Sequence, residues 1–291
     1  MLQEAVINEE IQQHLVLIFL GLLIGAGLLF LAWRNGAFHS FTPSFLPKIK
    51  GREVLKGFAA FLLAELVMVP ALVVVGAYVL MGKILTASML SPELKGWINI
   101  GVVFGGFIGV WSIYRGLPAE KRGQFWQARS PWYKQVFVGM IAWLVSYPLV
   151  IAFSQLISLI VLALYRQPEL DQVAVRHMKS LLSDPLIFSI TAIEVICLVP
   201  FTEEFLFRGL LQSWLKSKFN HVPLAIVLTS LLFAIFHYSG SQGLTNIELL
   251  SSLFVLSCVL GYIYEKQHSL WAPIGMHAFF NLMNVLLIFK Y

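Results

Sequence analysis

Charge is what this chain lacks most. Only 12% of its 291 residues are Asp, Glu, Lys or Arg, against about a quarter in a soluble domain. With 58% hydrophobic residues, there is too little polar surface for a soluble multi-domain protein. Cysteine is scarce too. Cys197 and Cys258 are the two present, and both fall inside apolar runs. They read as buried thiols, not a disulfide, and say nothing about redox compartment. No cleavable leader is expected: the N-terminus carries Glu4, Glu9 and Glu10, with no basic n-region and no small-residue cleavage site. The first apolar run is therefore expected to be retained. The zinc-peptidase signature H-E-x-x-H does not occur, nor does a G-x-S-x-G nucleophile elbow. There is no internal repeat, low-complexity segment or separate soluble domain.

What the chain has is apolar runs of membrane-spanning length from end to end, which predicts an all-α, polytopic integral membrane protein. Eight spans are expected: His14–Trp33, Gly57–Met81, Trp97–Tyr114, Gln135–Tyr165, Pro185–Phe219, His221–Tyr238, Asn246–Gln267 and Leu270–Phe289. The fourth is long enough to tilt, or to break near Pro148. Glycines 101, 105, 106 and 109 in the third suit close helix packing. Residues Arg115–Lys134, with Trp126, Trp132, Lys121, Arg122 and Arg129, read as an interfacial segment. Pro168–Ser183, apolar at Leu170, Val173, Met178, Leu181 and Leu182, reads as an amphipathic surface helix.

The net charge of +5 does not point to nucleic acid. The basic residues lie in loops after the first, third, fifth and seventh spans, including Arg34, Lys48, Lys50, Arg52, Lys56, Lys216, Lys218 and Lys266, with Pro43 and Pro47 in the first loop. The intervening loops, such as the one carrying Lys83, Glu93 and Lys95, are weakly charged or balanced. By the positive-inside rule both termini lie outside the cytoplasm.

Against this background, Phe201-Thr202-Glu203-Glu204-Phe205-Leu206-Phe207-Arg208 stands out. A charge at the centre of a membrane helix costs roughly 2.5–3.5 kcal/mol on insertion scales, so three in six residues mark function. Glu204 and Arg208 are i,i+4 neighbours and can pair. Glu203 projects about 100° away and is left available for chemistry. Pro200 cannot donate to the carbonyl of Ile196, so a kink is expected just before Glu203. Two further spans carry polar or aromatic groups at one-turn spacing, Phe233 with His237 and His277 with Asn281. Measured from the cytoplasmic ends, Glu203 lies roughly 20 Å in, His237 roughly 24 Å, and His277 and Asn281 roughly 10–17 Å, close enough to share a cavity. His14, His39, His177, His221 and His268 fall at expected span ends or in loops. Glu65 and Glu194 read as packing or helper groups.

A glutamate activating water beside a histidine is an arrangement for general-base hydrolysis, and a His–Asn pair can donate to an oxyanion. Two histidines and a glutamate are also plausible zinc ligands.

The ordered set Glu203-Glu204-x-x-x-Arg208, Phe233-x-x-x-His237, His277-x-x-x-Asn281 resembles the CAAX-protease and bacteriocin-processing family of intramembrane endopeptidases. With flanking helices the resemblance covers about Leu186–Phe289. It implies an all-helical catalytic core over residues 185–291, preceded by N-terminal spans and interfacial segments over 1–184. It further implies that Glu203 and His237 activate water, that His277 and Asn281 form the oxyanion hole, and that Glu204, Arg208 and Phe233 support them, with no metal or cofactor. The implied partners are the bilayer and a membrane-anchored protein or peptide substrate, with no nucleic acid, and the implied location is a prokaryotic cell (inner) membrane. Two alternatives stay open: a zinc-dependent protease using the same residues, or a non-proteolytic membrane scaffold or bacteriocin-immunity protein.

Overall fold

The computed structural model describes residues 2–36, 48–82, 90–127, 130–166 and 172–289. Expectations for His39, Pro43, Pro47, Lys83, Arg129, Pro168 and Leu170 lie outside the described residues. Every described element is helical: α1 (Leu2–Arg34), α2 (Gly51–Leu63), α3 (Val69–Met81), α4 (Pro92–Gly116), α5 (Ala119–Gln124), α6 (Trp132–Tyr165), α7 (Val173–Ser180), α8 (Pro185–Ile193), α9 (Val199–Glu204), α10 (Ser213–Phe219), α11 (Val222–Phe236), α12 (Thr245–Gln267) and α13 (Trp271–Ile288). Seven rods are long and apolar enough to cross a bilayer: Ile7–Arg34, Gly51–Val79, Pro92–Gly116, Trp132–Tyr165, Pro185–Phe219, Thr245–Gln267 and Trp271–Ile288. The protein is an integral membrane protein of about eight helices, the eighth being the shorter α11.

The 15 residues of α11 span about 22 Å, less than a hydrocarbon core of about 30 Å. The chain therefore leaves helical geometry at membrane depth. Such backbone is tolerated only where protein or a wet cavity satisfies it. Here Asn246 supplies the partners. Its Nδ2 donates to the carbonyls of Ser239 (2.7 Å) and Gly243 (3.1 Å), and its Oδ1 accepts from the Ser239 N–H. Val173 at the start of α7 donates its N–H to Gln242 Oε1, tying the loop to that short helix.

Small residues set the closest approaches. A Cβ at Gly139 of α6 would run into the Ala272 carbonyl of α13, so those two backbones touch. Gly21 of α1 meets the Pro148 carbonyl of α6 in the same way. α6 runs unbroken through Pro148, so of the two expectations for this span, the break does not occur.

One sequence expectation is corrected. Cys197 is exposed, on the outer face of its helix, and Cys258 is half-buried; an apolar run does not say which side of a helix meets lipid. α1 begins at Leu2, twelve residues before His14, and His14 bonds Gln155 Oε1 of α6 through Nδ1 at 2.7 Å.

Gln127 follows α5 and is exposed. A Gln127→Cys variant on a cysteine-free background is expected to resist impermeant thiol reagents applied to intact cells and to react after lysis. Strong labelling from outside would reverse the orientation.

Candidate active site

The motif lies in a rod that is not a regular α-helix. α8 passes into a π-helical turn, Glu194–Leu198, then α9, then a second π-helical stretch, Phe205–Gln212, then α10. In the first turn the Val199 N–H reaches back five residues to the Glu194 carbonyl. The next bond in that register would come from residue 200, which is proline and has no N–H. The carbonyl left without a donor is thus Val195's, one residue from the one α-helical spacing predicts. Asn281 of α13 fills the place, donating through Nδ2 to the Val195 oxygen at 2.7 Å. A polar side chain from another helix re-satisfying a carbonyl freed by proline is the usual remedy in membranes.

All eight residues of the second π-helical stretch are buried. The Glu204–Arg208 pair is present, with Arg208 Nη1 3.0 Å from Glu204 Oε1 and both side chains fully buried. Arg208 also donates through Nη2 to Ser257 Oγ at 2.7 Å and to the Ser257 carbonyl at 3.2 Å, and its guanidinium lies 4.7 Å from the Phe233 ring centroid. One turn on, Gln212 Nε2 donates to the Gly261 carbonyl and to Glu265, and one turn further Lys216 pairs with Glu265. Residues 208, 212 and 216 thus face 257, 261 and 265 in parallel. Ser257, Gln212 and Glu265 went unnoticed in the sequence, although both triplets have one-turn spacing.

Glu203 turns away from this ladder toward two histidines. Its Oε1 lies 3.7 Å from His237 Nε2 and its Oε2 3.9 Å from His277 Nε2. The far side of each ring is held. His237 Nδ1 is 2.8 Å from the Phe233 carbonyl, which can only accept, so Nδ1 carries a proton. His277 Nδ1 is 2.8 Å from Glu204 Oε1, the oxygen that also binds Arg208. In neutral rings with these tautomers, both Nε2 atoms face Glu203 as acceptors. Acceptor facing acceptor at nearly 4 Å leaves room for a donor between them. His237 is the most open of the group, its side chain 29% accessible against 12% for Glu203 and 6% for His277.

The structure therefore brings Glu203, Glu204, Arg208, Phe233, His237 and His277 together. Asn281 is one turn from His277 on α13, with one amide hydrogen committed to Val195. Glu65, in a π-helical turn of the second rod, lies within electrostatic range of Glu203. Glu203, His237 and His277 are also the groups that could hold a metal. Their Nδ1 bonds to a carbonyl and a carboxylate are those that orient metal-binding histidines. As they stand, no three His, Cys, Asp or Glu side chains among the described residues are grouped as a metal site.

A family model described as type II CAAX prenyl endopeptidase, Rce1-like, matches residues 185–283. This segment is similar to the Rce1-like family. The match begins where α8 begins and ends two residues past Asn281, so it takes in all three motifs. Neither the curated proteins nor the solved structures gave a match to the chain. The matched segment takes in the motif-bearing part of each of the three rods that meet at Glu203, whereas α1 to α7 lie outside it.

Proposed function

We propose that the chain is an intramembrane CAAX-type endopeptidase of the glutamic kind, with residues 185–291 as its catalytic core and a membrane-anchored protein or peptide as substrate. The observation that supports this most is Glu203, held between two histidine Nε2 atoms at 3.7 and 3.9 Å. A water in the first gap donates one hydrogen to Glu203 Oε1 and the other to His237 Nε2, which leaves its lone pairs for attack. Glu203 takes the proton as the oxygen bonds to the scissile carbonyl carbon. The oxyanion then accepts from Asn281 and His277. For that role His277 must carry a second proton at Nε2, and Glu204 at its Nδ1 is the counter-charge for such a ring. Glu203 returns the proton to the leaving nitrogen as the C–N bond breaks. Arg208 and Phe233 hold Glu204 in place. The test compares membrane proteomes of cells expressing wild type and Glu203→Ala, reading new C-terminal ends on lipid-anchored or single-span proteins. Ends that vanish with Glu203→Ala name the substrate class. Full rescue of a deletion phenotype by Glu203→Ala would instead favour the scaffold or immunity role.

The Nδ1 bonds of the two histidines favour one second reading, zinc held by Glu203, His237 and His277, which would polarise the carbonyl and activate the water. The expected result is no stoichiometric zinc in the purified protein. Elemental analysis finding one zinc per chain, lost in His237→Ala, would favour the metal reading.

A further inference from the structure

Far from the motif, a cavity of about 220 Å³ opens between α1 and α6, lined by Glu10, Gln13, His14, Leu17, Gln155, Ser158, Val161 and Leu162. Its depth follows from the helices. The apolar run of α1 begins at Leu15 and continues to Trp33, about 28 Å of helix, which matches a hydrocarbon core. His14, immediately before it, stands at the headgroup boundary, and its bond to Gln155 puts the neighbouring turn of α6 at the same level. α6 has 34 residues and is roughly 50 Å long, so its ends extend beyond the core into the headgroup layers. The cavity lies about 22 Å along α6 from Trp143, the residue that packs on Phe279 beside the catalytic motif. It is therefore separate from the candidate active site.

The lining has a definite chemical preference. Ser158 is 1% exposed, and its Oγ has no hydrogen-bond partner among the described residues. A buried hydroxyl left unpaired is destabilising, so it calls for a partner in the cavity it lines. The Gln155 amide oxygen takes the His14 Nδ1 hydrogen, which leaves Nε2 as the acceptor of the neutral ring. Glu10 brings the negative charge, and no Lys or Arg lines the cavity. An anionic group would meet an uncompensated carboxylate here. A quaternary ammonium has no N–H to donate and is recognised by aromatic faces, and no aromatic residue lines this cavity. A primary ammonium fits: its three N–H groups match the Glu10 carboxylate, the His14 nitrogen and the Ser158 hydroxyl.

We propose that this cavity binds a primary ammonium group at the headgroup level, as carried by an ethanolamine phospholipid. Native mass spectrometry of the purified full-length protein, titrated with ethanolamine and choline phospholipids of identical acyl chains, tests it. The ethanolamine lipid should be retained roughly tenfold better, since a primary ammonium makes charge-assisted hydrogen bonds that a quaternary one cannot. Glu10→Gln should abolish the preference and Ser158→Ala should reduce it. Equal retention of the two lipids by the wild type, or an unchanged preference in both variants, overturns the lipid assignment. Thermal unfolding with free ethanolamine separates the sources. Stabilisation that disappears in Glu10→Gln, without any preference between lipids, assigns the same site to a soluble primary amine. No response to either probe overturns the proposal as a whole.

Discussion

Glu203→Ala is expected to lower turnover by about 10²–10⁴-fold, the usual contribution of a general base, while the protein still accumulates and unfolds near the wild-type temperature. Glu203 makes no hydrogen bond that holds two helices together; its nearest partners are at 3.7 and 3.9 Å, so its loss strands nothing. Asn281→Ala should lower turnover by about 10²–10³-fold, as removal of an oxyanion donor does, but with a second effect. The Val195 carbonyl loses its only donor from α13, and an unsatisfied buried carbonyl costs about 1–3 kcal/mol. Turnover must therefore be expressed per folded molecule, with folded protein measured by thermal unfolding of the same sample. Asn281→Ala that lowers stability but turns over normally per folded molecule would make Asn281 a structural clamp and remove it from the oxyanion hole. Unchanged turnover in Glu203→Ala would remove the general base and the mechanism with it.

Arg208→Ala should have the largest effect on stability. The guanidinium is fully buried and bonds Glu204 and Ser257 from two different rods, and it lies over the Phe233 ring of a third. Removing it leaves the Glu204 carboxylate buried without its counter-charge. Breaking a buried pair in this way costs about 3–5 kcal/mol. Yield and melting temperature should fall together, whereas Glu203→Gln should leave both near wild type. Arg208→Lys is expected to recover only part of the loss, because a single ammonium cannot reproduce the planar fork that reaches Glu204 and Ser257 at once. The roles of the two adjacent glutamates are exchanged if Glu203→Gln proves the strongly destabilising change.

Much of this was legible in the chain itself. Recurrent apolar runs specify membrane helices, because hydrocarbon leaves the backbone no other partner than itself. The pairing of Glu204 with Arg208 follows from spacing alone, since residues four apart share a helix face. The same local geometry sets Glu203 to one side of that pair. The three motifs, read in order, resemble the family whose model matches residues 185–283.

Other features depend on which helix lies against which, and one-dimensional spacing does not carry that. Asn281 stands where an α-helical register would leave no open carbonyl, because a π-helical turn moves the gap made by Pro200 onto Val195. Another rod supplies the donor that this gap lacks. Ser257 and Gln212 look like ordinary polar residues of apolar spans until α12 lies parallel to the motif helix and aligns the two triplets. The orientation of both histidine rings is likewise a product of packing: a backbone carbonyl holds one, and the motif's own second glutamate holds the other. The sequence by itself determined the helices, the buried ion pair and the set of chemical groups, all consequences of composition and local period. Only the tertiary structure decided how those groups are aimed, because direction at the site comes from hydrogen bonds between rods far apart in the chain.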